Sequence, residues 1–79
     1  MQVVGAASGP VWGTGAYTDD SSIAAAAVHA GLLKPGELGF VRVTVEAGRD
    51  SYEASERNGI KTSPFGKFDG SFRLGRVTR

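Results

Sequence analysis

Hydrophobic and polar positions follow two different periods along this chain. From Gly39 to Glu46 they alternate: Val41, Val43 and Val45 point one way, and Arg42, Thr44 and Glu46 the other. That period of two predicts a half-buried antiparallel strand. Ile23 to Ala30 does not alternate at all, since Ile23, Ala24, Ala25, Ala26, Ala27, Val28 and Ala30 leave almost no polar face. Alanine is the best intrinsic helix former. Asp19-Asp20-Ser21-Ser22 places cap oxygens and negative charge ahead of the run, where a helix leaves N–H groups unpaired. Gly31 stands just past its end, where a left-handed residue closes helices at low cost. The pattern predicts a helix over 23–30, capped from Asp19-Asp20-Ser21-Ser22, with capping as the role of the aspartate pair. A helix apolar all round is a buried one, so in this short chain strands must wrap it on more than one side.

Weaker signals fill in the rest. Residues 1–10 read as a loose lead-in ending at Gly9-Pro10, and Val11 to Tyr17 as a short extended segment around a Gly13-Thr14-Gly15 turn. Residues 47–70 are dense in turns, with Tyr52, Ile60, Phe65 and Phe68 spaced through them as anchors. Asn58-Gly59 is a strong hairpin signal because both residues tolerate positive φ. The last strand, Ser71 to Val77, puts Phe72 and Leu74 on one face and Val77 out of phase with both. Gly75 sits at the slip, which predicts a β-bulge there. The expected class is α+β: one central, largely buried helix wrapped by antiparallel strands.

Composition sharpens this picture in three places. Seventy-nine residues make a single domain, 1–79. There is no cysteine, so the core carries the fold without disulfides and thiol usage says nothing of redox compartment. No run approaches the ~20 apolar residues that cross a bilayer, and the start of the chain lacks the basic and apolar regions of a signal peptide. Net charge is only +1, too small for a surface that tracks nucleic-acid phosphates. It is unevenly placed: residues 39–79 carry eight basic groups against five acidic, and residues 1–38 three acidic against one basic.

Candidate chemistry is sparse. His29 is the one histidine, so zinc or a catalytic triad would have to be built around it, and zinc sites take several Cys or His ligands. Ser21 and Ser22 lie eight and seven residues before it, ~10–12 Å along a helix, too far to act as its nucleophile. A structural hydrogen bond from His29 to a loop or strand carbonyl is expected instead. Asp19-Asp20 lacks calcium-loop spacing, which leaves Asp20 as a structural cap. Gly13-Thr14-Gly15 lacks the frame of a phosphate loop and reads as a turn that places Trp12 and Tyr17. Arg57 and Asn58 at the hairpin, with Lys61 and Arg49, form the candidate anion site, which Arg73, Arg76 and Arg79 extend. The competing expectation pairs Arg57 with Asp20 or Asp69. Among the aromatic rings, one of Tyr17, Tyr52 and Phe65 is expected at the surface.

Taken together, these residues resemble the LCCL domain, a module of multidomain secreted proteins. The likeness runs through Val11-Trp12-Gly13-Thr14-Gly15, Tyr17 to Ile23 and Ala26-Ala27-Val28-His29-Ala30-Gly31. It resumes at Val43-Thr44-Val45, Ser51-Tyr52, Ser55, Arg57-Asn58-Gly59-Ile60 and Ser63, and ends at Gly66-Lys67-Phe68 and Gly70-Ser71-Phe72. The chain departs from the family where Ala24 replaces a cysteine and where the lead-in lacks a cysteine pair. The resemblance implies a non-enzymatic, cofactor-free recognition unit, extracellular or at the cell surface. The missing cysteines keep a cytoplasmic location open. It also implies an anionic microbial-surface or glycan-like ligand of the lipopolysaccharide type, with other domains of a parent protein as neighbours. The alternative is a structural or protein–protein interaction domain with no small-molecule site.

Overall fold

The computed structural model describes residues 1–77. Its elements are β1 (Gln2–Val4), β2 (Gly13–Thr14), β3 (Ala16–Thr18), α1 (Ile23–His29), β4 (Leu38–Arg49), β5 (Glu56–Arg57), β6 (Ile60–Lys61) and β7 (Phe68–Arg76). Five strands form one antiparallel sheet in the order β1-β4-β7-β3-β2, and β5 and β6 form a separate hairpin. The class is α+β, with far more strand than helix.

α1 forms where its alanines and caps lie, one residue shorter than expected, with Ala30 as its C-cap. The N-cap oxygen comes from Ser22, whose Oγ accepts the Ala25 N–H at 3.1 Å. The expected aspartate cap is therefore corrected: Asp20 instead accepts a 2.6 Å bond from Thr18 Oγ1, at the turn where β3 leaves the sheet. A serine takes the cap because it stands directly before the first helical residue, whereas Asp20 lies two positions further back. Ala25 to Val28 are fully buried. Ala25, Ala26 and Val28 share a cluster with Tyr17 and Phe72 of the sheet and Ile60 of the hairpin, while Ala27 packs with Leu33 and Val41. Small side chains at these positions let sheet and hairpin backbones approach the helix closely.

The sheet departs from the sequence reading in three places. The lead-in is not loose: β1 pairs with the start of β4, Val3 opposite Gly39. The predicted bulge at Gly75 is absent. β4 and β7 keep one register from Val41 opposite Arg76 to Ala47 opposite Gly70, and Gly75 faces Arg42 within it. Val77 is out of phase because it is no core residue; it lies past the strand, 45% exposed. Finally, Val41 is buried and Val43 half-buried as predicted, but Val45 on the same face is 80% exposed. A seven-residue helix is ~10 Å long and β4, with twelve residues, ~40 Å. The helix cannot cover the whole strand.

Candidate functional site

The C-terminal end of α1 organises the region where the predicted cations gather. Gly31 adopts φ 81° and its N–H reaches Val28 O at 3.0 Å, while Leu32 N–H reaches Ala27 O at 2.9 Å. These two bonds make a Schellman closure, which pairs carbonyls the helix would otherwise leave open. A third carbonyl, His29 O, accepts Asn58 Nδ2 at 3.1 Å. Asn58 can reach it because the β5–β6 turn holds Asn58 at φ 54° and Gly59 at φ 83°, as the Asn-Gly pair predicts. Asn58 thus ties hairpin to helix.

The His29 ring is buried, and its partners are hydroxyls rather than the expected carbonyl. Nδ1 lies 2.9 Å from the Tyr17 hydroxyl and Nε2 2.9 Å from Ser55 Oγ. Ser55 Oγ is 2.6 Å from Thr14 Oγ1, which donates to Glu53 O at 3.0 Å. A carbonyl only accepts, so one direction satisfies every contact in this chain. Thr14 donates to Glu53, Ser55 to Thr14, and the Nε2–H of His29 to Ser55; Nδ1 then accepts from Tyr17. Burial raises the Tyr17 pKa, against smaller lowering effects of a Gly15 backbone hydrogen bond and Arg57, so the phenol keeps its proton. Burial, and then the nearby Arg57 guanidinium, lowers the His29 pKa, so the imidazole is neutral. A histidine that activates a serine must accept its proton. His29 donates to Ser55, and the contact serves to lock a loop and β3 onto the helix.

This network predicts a pH dependence. In the unfolded chain His29 titrates near its ordinary value of about 6.5, and in the fold below it. The unfolded state therefore binds more protons in that window, and stability declines as pH falls from about 6.5 toward the folded value. Denaturant midpoints measured between pH 7.5 and 5.5 are expected to fall with pH, and to fall less in His29→Gln. An equal slope in both proteins would remove His29 as the cause.

The candidate cations do not share one surface. Asn58 and Arg76 meet in a concavity at the helix end, lined also by Lys34, Leu32, Leu33, Pro35, Val28 and Glu37. Arg57 adjoins Asn58 and is close enough to perturb His29 and Tyr17. The other cations lie elsewhere. Lys61 borders a separate depression with Gly9 and Ile60, and Arg49 another with Ser51 and Tyr52. Arg73 pairs with Glu46 at 2.8 Å on the outer face of the sheet. Arg79 lies outside the described residues. Among the described residues neither Asp20 nor Asp69 forms an ion pair with Arg57, which corrects the competing expectation. Lys34 escaped the sequence reading because it sits in the acidic first half of the chain. Its one local signal was the Lys34-Pro35-Gly36 turn following the helix stop.

Of the three candidate rings, Phe65 is the exposed one at 43%, while Tyr17 and Tyr52 are buried. Its ring meets Trp12 and Phe68 edge-on, with centroids 6.5 and 5.5 Å away. Trp12 is fixed through its backbone: its N–H donates to Ser21 Oγ at 3.0 Å and its carbonyl accepts from Thr18 N–H at 3.1 Å.

Comparison with known proteins agrees with this architecture. The model of the LCCL domain family matches residues 3–72. Clotting factor C of Tachypleus tridentatus is 38% identical over 71 residues, covering 90% of this chain and 7% of that protein. Limulus clotting factor C of Carcinoscorpius rotundicauda is 39% identical over 70 residues, covering 89% of this chain and 7% of that one. The human cysteine-rich secretory protein LCCL domain-containing 2 is 40% identical over 57 residues, 72% of this chain and 12% of that protein. No solved structure matches the chain. It thus spans a small fraction of these relatives, and among the described residues no helix is long and apolar enough to cross a membrane. A match over nearly the whole length, taking in the capped alanine helix, its glycine stop and the Asn-Gly hairpin, makes this chain a member of the LCCL domain family.

Proposed function

We infer that the chain is a non-catalytic recognition module, extracellular or at a cell surface, for anionic microbial-surface or glycan-like ligands of the lipopolysaccharide type. The concavity at the helix end carries this reading. Lys34 and Arg76, far apart in sequence, converge there with Asn58 beside apolar Leu32, Leu33 and Pro35. An amphiphile with phosphate and acyl groups matches both parts. Ammonium and guanidinium groups bind phosphate, the guanidinium bidentately, and the leucines offer apolar contact. Arg57 adds positive potential from the hairpin, with Arg49, Lys61 and Arg73 acting from further away. The Glu37 carboxylate opposes an anion, but its Oε1 accepts the Lys34 backbone N–H at 2.9 Å. In this reading α1 is the central element that the strands wrap, and its capped end supplies the wall of the site.

A second reading, a structural or protein–protein interaction domain of a larger assembly, has one observation in its favour. Val4, Leu38 and Phe40 are each more than half exposed, and Val4 pairs directly with Leu38 on the sheet. Such apolar patches suit protein contacts. Co-sedimentation with lipopolysaccharide separates the two readings. The wild-type chain is expected to bind, less well at high salt. Lys34→Glu combined with Arg76→Glu is expected to lose at least ~10-fold in affinity, since two phosphate contacts become repulsions. Equal binding by the folded double variant would reject this site.

A further inference from the structure

Arg49 ends β4 and faces a cleft of its own, away from the helix-end concavity. The cleft measures about 320 Å³ and is lined by Thr14, Ala16, Arg49, Ser51, Tyr52 and Glu53. The β2–β3 hairpin forms one wall, and the segment leaving β4 forms the other. Backbone and side-chain bonds hold that segment in place. Tyr52 and Phe65 exchange backbone hydrogen bonds of 2.8 and 3.2 Å. The Tyr52 hydroxyl accepts the Arg49 N–H at 3.1 Å. Thr14 Oγ1 donates to Glu53 O at 3.0 Å and lies 2.6 Å from Ser55 Oγ, which reaches the buried His29 ring. Both walls are therefore tied to the core, and the cleft exists before any ligand arrives.

The lining specifies what fits. Ala16 and Tyr52 are buried, and the Tyr52 hydroxyl is engaged by Arg49 N–H and Phe68 O, so the two residues make a small apolar floor. Around it stand the exposed side chains of Arg49, Ser51 and Glu53. Arg49 and Glu53 bring opposite charges to one cleft, yet among the described residues the one ion pair is Arg73 with Glu46. Each charge is thus open to a ligand. The guanidinium fork matches a carboxylate bidentately. An ionised carboxylate only accepts hydrogen bonds, so Glu53 selects a donor such as a hydroxyl. A dianionic phosphate would gain at Arg49 and lose at Glu53, which favours a ligand with a single negative charge. One carboxylate beside several hydroxyls, on a ring small enough for this volume, describes a sugar acid. We propose that this cleft is a second binding site and takes one acidic monosaccharide unit: carboxylate on Arg49, hydroxyls on Glu53 and Ser51, C–H face on Tyr52. The proposal rests on the glycan side of the recognition reading above, but on residues that the helix-end concavity does not share.

A ¹⁵N-HSQC titration of the 79-residue chain with methyl glucuronide, methyl galacturonide, methyl glucoside and inorganic phosphate tests it. A single ring has few heavy atoms, so at least one uronide is expected to bind with a dissociation constant on the order of 1 mM. Its shifts are expected to centre on Thr14, Arg49, Ser51, Tyr52 and Glu53. The neutral glucoside and phosphate are expected to bind at least ~10-fold more weakly. Arg49→Gln changes an exposed side chain and is expected to weaken uronide binding at least ~10-fold on an otherwise native spectrum. Lys34→Glu combined with Arg76→Glu is expected to leave that binding unchanged. Shifts confined to Lys34, Asn58 and Arg76 would overturn this cleft and leave the concavity standing. Neither uronide binding at about 50 mM, glucoside binding as tightly, or Arg49→Gln binding as the wild type does would also overturn it.

Discussion

Alanine at position 29 is expected to cost about 3–4 kcal/mol of stability. Two effects add. The ring is buried with 1% of its surface exposed, so its removal leaves a cavity beside Val28 and Tyr17. It also strips the Tyr17 hydroxyl of its one acceptor and Ser55 Oγ of one donor. A buried hydroxyl left without a partner costs about 1–3 kcal/mol by itself. A domain of this length has roughly 4–12 kcal/mol in total, so the variant would approach its unfolding midpoint at 37 °C. Urea denaturation of His29→Ala beside Tyr17→Phe checks the argument. Tyr17→Phe leaves the buried His29 Nδ1 without its donor but opens almost no cavity, and is expected to cost about 1–2 kcal/mol, less than His29→Ala. Equal losses in the two variants would show that the ring contributes nothing beyond its bond to Tyr17.

Gly48→Ala is the second large effect, about 3 kcal/mol or more. A Cβ at Gly48 would overlap the β7 backbone, at Phe68 O and at the Cα and carbonyl carbon of Asp69. These are main-chain atoms, so a side-chain rotation cannot relieve the contact. The ladder is already parted beside it: the Tyr52 hydroxyl accepts the Arg49 N–H at 3.1 Å and donates to Phe68 O at 3.4 Å. Any widening there breaks the Tyr52 bridge as well. Hydrogen exchange at the Arg49 amide is expected to speed up more than exchange within α1. Uniform acceleration across the molecule would point instead to global destabilisation without local strain.

Local signals carried much of this fold. The alanine run, Ser22 before it and Gly31 after it sit within one stretch of chain, and each acts through its own backbone. Asn58-Gly59 likewise needs only its own φ values. What stayed hidden depends on distant partners. Val45 looks like a core residue until the length of α1 is set against that of β4. Gly75 looked like a bulge because Val77 was assumed to belong in the core. The lead-in looked loose because its partner, Gly39, lies 36 positions from Val3. The site shows the same limit more sharply. The Asn-Gly hairpin and the basic second half pointed to Asn58 and Arg76 but missed Lys34, which joins them only after the chain turns past Gly31. Ser55 reaches His29 across 26 positions, and no spacing rule connects a helix residue to a loop that far away.

The central claim is that the helix-end concavity binds an anionic amphiphile, and a ¹⁵N-HSQC titration with lipid A tests it most directly. The account predicts salt-sensitive shifts at Lys34, Arg57, Asn58 and Arg76, together with the leucines between them, while Arg73 on the outer face stays still. Shifts centred on Val4, Leu38 and Phe40, or none at saturating lipid, would contradict it.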